Sequence, residues 1–305
     1  MNQRVVFIST VLTIGLLLAS VPVLDQVDRA REDQTLQDVL YVPSAGTVKH
    51  LSLGYNGLMA DIYWTRVVQY FGGKHHLKSR EYQLLAPLLD ITTTLDPHLV
   101  VAFQFGAIFL AQSPPEGAGD PQAAVRLAER GIANNPAEWR LYYDLGYIYW
   151  QELHDPRAAS AAFLKGSQVP GALPWMKVMA AALAQSGGEE RTARYLWTNI
   201  LHDTNDDLIR ANAGKRLRAL DSDDTVTVLQ HYADLYTEQL GHAPQSWADM
   251  IASGHMRGVP RDPMGNPYLL RNGHVEVQDP DNFPFITQGL PPGREASVIP
   301  KMPGK

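Results

Sequence analysis

The sequence predicts a mainly α protein, a stack of helical hairpins forming a solenoid and followed by a small α+β C-terminal module. Three observations predict it. Between about Leu58 and Asp206 one pattern recurs four times: an apolar helix-like stretch, a short break, an alanine-rich stretch and a helix-stopping residue. Gly and Pro return at matched places within that pattern, the stops at Pro136 and Pro170 lying 34 residues apart. After Asp221-Ser222-Asp223-Asp224 the pattern ends, and Gly241, Pro244, Gly254, Pro260, Asp262-Pro263, Gly265 and Pro267 punctuate the rest of the chain. Internal periods of this length mark units that bury their apolar faces against their neighbours and leave an extended surface for binding.

The first element in order is an anchor, residues 1–25. Val5 to Leu24 is a run of 20 residues without a charge, preceded by Arg4 and followed by Asp25, long enough to cross a bilayer as a helix. A cleaved signal peptide is the rival reading, but Ala19-Ser20-Val21-Pro22 matches a cleavage site poorly. Positive charge before the run and acidic residues after it place the bulk of the chain outside, as a single-pass inner-membrane protein facing the periplasm. Residues 26–50 read as a linker, whose charged start, Gln26 to Gln37 with Asp28, Arg29, Arg31, Glu32 and Asp33, is a solvated spacer or a helix extending from the anchor.

The helical repeats are expected over residues 51–221. The clearest unit runs from Trp139 to Pro170, with Tyr142, Leu145, Gly146 and Tyr149 at helical spacing, then Ala158 and Ala162 after Asp155-Pro156. These residues resemble the tetratricopeptide repeat, whose small positions let two antiparallel helices approach closely. The preceding unit carries Ala102, Phe105, Gly106 and Phe109, then Ala124, Ala128 and Gly131, with Ser113 to Asp120 inserted as a loop expected to project from one edge. Weaker units flank these two, as terminal repeats that cap a stack do. In this register the first helices of the hairpins turn Phe103, Arg140, Tyr143, Tyr147, Trp150 and Trp175 toward the concave face. Aromatic and Arg side chains suit a protein-binding groove because they supply large contact area at small entropic cost. The same side chains also serve as packing between repeats, and the two readings stay open. The opening segment, Leu51 to Lys74, holds Tyr55, Tyr63, Trp64, Tyr70 and Phe71, read as a capping helix in the core or as a bilayer-interface segment.

Residues 222–280 form the small module. Thr225 to Leu240 reads as one amphipathic helix with the preceding acids as its N-cap region. Beyond it, Pro260-Arg261-Asp262-Pro263-Met264-Gly265-Asn266-Pro267-Tyr268 is similar to the globular end of type II secretion pseudopilins. Consecutive turns there lead into a hairpin of Tyr268-Leu269-Leu270 with His274 to Val277 around Arg271-Asn272-Gly273. Asp262, Asp279 and Asp281 read as turn and cap residues, with ion binding the other option. Residues 281–305 read as an extended tail.

Chemistry in the chain is sparse. A net charge of −6 and the lack of Lys/Arg runs argue against nucleic-acid partners. The chain has 0 cysteines, which removes disulfides, thiolate metal sites and a cysteine nucleophile. Nucleotide-binding, zinc-protease and hydrolase motifs are missing, so neither catalytic residues, metal ligands nor a cofactor is assigned. His75-His76 reads as part of an exposed loop. The function expected is therefore that of a membrane-anchored, periplasm-facing scaffold or adaptor binding protein partners in an envelope assembly, such as a secretion or pilus-like system or a large membrane complex. A permanent accessory subunit of an integral-membrane complex is the alternative, and an enzyme with a site in the groove is the third possibility.

Overall fold

The computed structural model describes residues 43–290, together with Pro22. The expected anchor, Val5 to Leu24, therefore lies outside the described residues, apart from that proline. No described helix is long and apolar enough to cross a membrane. The chain is mainly helical with one two-stranded sheet.

A short helix, α1 (Ala45–Leu51), leads into four consecutive helix pairs. These are α2 (Asn56–His76) with α3 (Leu85–Leu95), α4 (Val100–Ala111) with α5 (Pro121–Asn134), α6 (Trp139–Tyr147) with α7 (Pro156–Ser167), and α8 (Trp175–Ser186) with α9 (Glu190–Asp203). From α2 onward each helix packs on the next in sequence, through to the 34-residue α10 (Asp207–Leu240). Their starts reflect local chemistry. Asp120 and Asp155 accept hydrogen bonds from Ala123 N and from Arg157 N and Ala158 N, and Pro121 and Pro156 fill the first helical position. Small residues set how closely the helices approach. A Cβ at Gly131 would lie 2.9 Å from the Phe103 ring, and one at Gly106 would lie 2.5 Å from Leu89 Cδ2. The apolar core divides into a cluster over α1 to α7, a second over α7 to α10 and a third beneath the C-terminal module.

Several expectations change against this architecture. The end of the 26–50 linker is helix α1, capped by the Ser44 side chain, with Val48 buried. His75 and His76 form the last turn of α2 instead of a loop, where basic residues suit the negative end of the helix dipole. In the opening segment Tyr63 is buried and Trp64, Tyr70 and Phe71 pack against the core, whereas Leu51, Leu53, Tyr55, Leu58 and Ile62 face solvent. The loop from Ser113 to Asp120 does not project. It folds back on α4, with Ala118 N donating to Phe109 O and Gly119 N to Gln112 O at 2.8 Å each, and Tyr82 Oη donating to Pro115 O. Gly117 permits this, since a Cβ there would stand 2.5 Å from Gln112 O.

The largest change concerns the acidic run. Asp221 to Asp224 do not cap a helix: α10 passes through them unbroken, and Ser222, Asp223 and Asp224 are buried. The helix ends at Gly241, whose φ of 78° only glycine adopts freely.

After it, α11 (Trp247–Ala252) begins with a capping box between Ser246 and Asp249. The hairpin pairs β1 (Leu269–Arg271) with β2 (His274–Glu276) in antiparallel register, Leu270 opposite Val275, around Asn272-Gly273. Asp262 Oδ1 accepts from Met264 N at 2.8 Å and Asn266 N at 2.9 Å, so this carboxylate organises the turn. Asp279 accepts from Asn282 Nδ2 at 2.7 Å and is likewise a turn residue. Gln230 of α10 clamps the hairpin, donating to Gly273 O and accepting from Val275 N. Residues 281–290, expected as part of a tail, form a strap on α10. Phe283 is fully buried, and Thr287 N and Gly289 N donate to Asp223 Oδ1 at 2.9 and 3.1 Å.

Candidate functional site

Helix α6 carries most of the predicted surface. It ends in a π-helical turn, Ile148–Glu152, where Leu153 N donates to Ile148 O five residues back. Such turns alter the angular placement of the residues they contain and are frequent at functional sites. Within this turn Trp150 stands edge-on to Tyr147, ring centroids 6.5 Å apart. Both remain exposed, at 39% for Tyr147 and 38% for Trp150. Trp175 opens α8 and is 37% exposed.

The remaining predicted residues take other positions. Tyr143 is half-buried, its ring edge-on to Trp175 at 5.5 Å and to Phe163 at 5.8 Å. It joins the two hairpins and braces Trp175. Arg140 is exposed but engaged: its guanidinium donates to Glu138 Oε1 at 2.9 Å and lies 4.7 Å from the Trp139 ring centre. Phe103 is a correction. It is 0% exposed, its ring set against the bare backbone of Gly131 on α5, so it belongs to the core. On the same helix Phe105 is exposed, two residues and thus about 200° away. The structure thus brings Tyr143 and Trp175 together, and Tyr147 and Trp150 together.

Two polar residues at this surface carry no sequence motif. Asp144, between Tyr143 and Leu145, is 7% exposed, and Oδ2 accepts one hydrogen bond, from Gln104 Nε2 of α4 at 3.2 Å. Burial pushes its carboxyl up to about 6; the Gln104 bond opposes this and the Glu138 charge adds to it. Among the described residues it has no cationic partner within 4.0 Å. Its spacing of four residues from Arg140 suggests an ion pair, but Arg140 turns to Glu138 instead. A lone acid in the aromatic stretch from Trp139 to Trp150 is the signal that singles out Asp144. Gln104 has no such signal.

Exposed aromatic rings, half-braced from below, offer rigid contact area. The described residues contain no cluster of three or more His, Cys, Asp or Glu able to hold a metal ion. In comparisons with known proteins, no protein-family model, no curated protein and no solved structure matches this chain.

Proposed function

We propose that the chain is a membrane-anchored, periplasm-facing scaffold whose helix pairs form a tetratricopeptide-like solenoid and hold a protein partner in an envelope assembly. The observation that carries this reading is the exposed aromatic set Tyr147, Trp150 and Trp175 on successive hairpins. Exposed aromatic rings that adjoin one another, as Tyr147 and Trp150 do, mark interaction surfaces, and such rings dominate binding energy where they are covered. The anchor rests on the charge-free run Val5 to Leu24, and the exposed Leu51, Leu53, Tyr55, Leu58 and Ile62 support a position close to the bilayer surface. Anchoring confines the search to two dimensions, and linked weak contacts then act at high effective concentration.

The test is capture of co-purifying proteins from native membranes by the tagged full chain and by the Tyr147→Ala/Trp150→Ala variant. Loss of about 2 kcal/mol at such a pair weakens binding about thirtyfold, so the partner set should vanish from the variant while its circular dichroism is unchanged. Equal capture by both proteins overturns the groove. A C-terminal alkaline phosphatase fusion inactive in cells overturns the periplasmic placement.

A further inference from the structure

Where the last repeat helices meet the strap there is a cavity of about 380 Å³. Gln185 at the end of α8, Arg216 and Leu220 of α10, and Phe285, Ile286 and Leu290 of the strap line it. Its wall is mostly apolar, with one guanidinium set into it.

Arg216 is only 9% exposed. Its guanidinium carbon lies 3.4 Å from the centre of the Phe285 ring and 5.5 Å from that of Trp197. Phe285 reaches this place with φ of 66°, a strained left-handed backbone for a non-glycine residue. A buried guanidinium ordinarily has a carboxylate partner. Among the described residues Arg216 has none within 4.0 Å, and its one hydrogen bond is a long one, 3.4 Å to Gln185 Oε1. The acid two turns on, Asp223, also lines the cavity, but its carboxylate already accepts from the strap amides of Thr287 and Gly289.

The unsatisfied groups here are donors. Arg216 Nε and Gln185 Nε2 are buried without an acceptor, and so is the indole N–H of Trp197 behind them. A ligand that completes this site accepts hydrogen bonds, and the guanidinium without an ion-pair partner favours at most a single negative charge, since Glu190 and Asp223 also line the wall. A planar carboxylate matches the edge of a guanidinium whose face is already covered by a ring. A phosphate dianion matches less well, because Glu190 and Asp223 share the wall. Leu220, Ile286 and Leu290 in turn suit an apolar body behind the acid group. Burial lowers the Arg216 guanidinium to about 10, which leaves it cationic at neutral pH.

We propose that this cavity is a binding site for a small organic carboxylate with an apolar body, its acid group held by Arg216 and Gln185. The site is distinct from the aromatic surface of α6 and α8, and it couples a ligand to the seating of the strap through Phe285.

The test titrates the full chain, purified in a neutral detergent, with hexanoate and phenylacetate. Hexanamide and phenylacetamide serve as neutral isosteres, and inorganic phosphate as the competing anion. Calorimetry and Trp fluorescence read the binding. The expected result is saturable binding of a carboxylate, at least tenfold weaker binding of its amide and of phosphate, and at least a tenfold loss in Arg216→Gln. No saturable carboxylate binding, equal binding of the amide, or tighter binding of phosphate overturns the proposal. So does full affinity in Arg216→Gln, which places the ligand elsewhere. Should Arg216→Gln fail to fold, Gln185→Leu decides: a loss of threefold or more supports the site, and unchanged affinity overturns it.

Discussion

Asp144 offers a quantitative test of how the surface of α6 is built. It is buried, bonded only to Gln104, and its carboxyl is raised from 3.8 to about 6, chiefly by desolvation. That rise corresponds to about 3 kcal/mol between its two protonation states. The sign comes from proton counting. Between 3.8 and about 6 the folded chain keeps the proton that the unfolded chain has lost, so stability falls as pH rises through that window and the full penalty stands above it. Asp144→Asn preserves size and a carbonyl oxygen for the Gln104 amide while removing the charge. The variant should exceed the parent in stability by up to about 3 kcal/mol near pH 7.5, shrinking to about 1 kcal/mol near pH 4.5. Urea denaturation of both proteins at the two pH values measures the difference directly. A variant less stable than the parent by the same amount at both pH values would refute the reasoning, because it would mean that the ionised carboxylate is at home in the fold.

Packing and buried polarity give three further expected outcomes. Gly131→Ala places a methyl 2.9 Å from the Phe103 ring and should cost about 1–3 kcal/mol by thermal denaturation; an unchanged midpoint would mean that α4 and α5 separate freely. Asp224→Ala strips the 1%-exposed carboxylate that Arg194 Nη2 contacts at 2.8 Å and should cost about 3 kcal/mol or more in the same assay. Asp223→Ala releases the amides of Thr287 and Gly289, so their hydrogen exchange should accelerate at least tenfold while α4 and α5 keep their protection. Exchange unchanged at those amides would show that Phe283 alone seats the strap.

Much of the helical order is legible because it rests on local chemistry. Asp-Pro pairs start α5 and α7, and Asn272-Gly273 turns the hairpin. The faces of helices are less legible. Val100 to Ala111 is apolar all round except for Gln104, so periodicity offers no reason to prefer Phe103 or Phe105 as the outer residue. The choice is made by Gly131 on the next helix, which leaves space for Phe103 alone. At the candidate surface the aromatic residues are visible as types, whereas the bracing of Trp175 by Tyr143 and the link from Gln104 to Asp144 depend on contacts between different helices. The π-helical turn that contains Trp150 has no marker in the sequence.

The acidic run in α10 shows why polarity alone misplaces a boundary. As a string of residues, Asp221-Ser222-Asp223-Asp224 looks solvated; folded, its residues divide between two stripes at helical spacing. Asp221 and Asp224 turn toward α9, where Arg194 contacts both. Arg216, Leu220, Asp223 and Thr227 form the other stripe, each meeting the cavity or the strap. Gln230 extends it to the hairpin. The strap and the hairpin present backbone N–H groups that burial would otherwise leave without acceptors, so the helix beneath them needs polar side chains at these positions. The same reasoning ties the halves of the chain together. A cut at Asp224 would divide one continuous helix, remove an acid from Arg194 and take away the ring that covers Arg216. The C-terminal module is therefore joined to the last helix pair through shared buried polar groups, and a ligand acid at Arg216 would stabilise both sides of that joint at once.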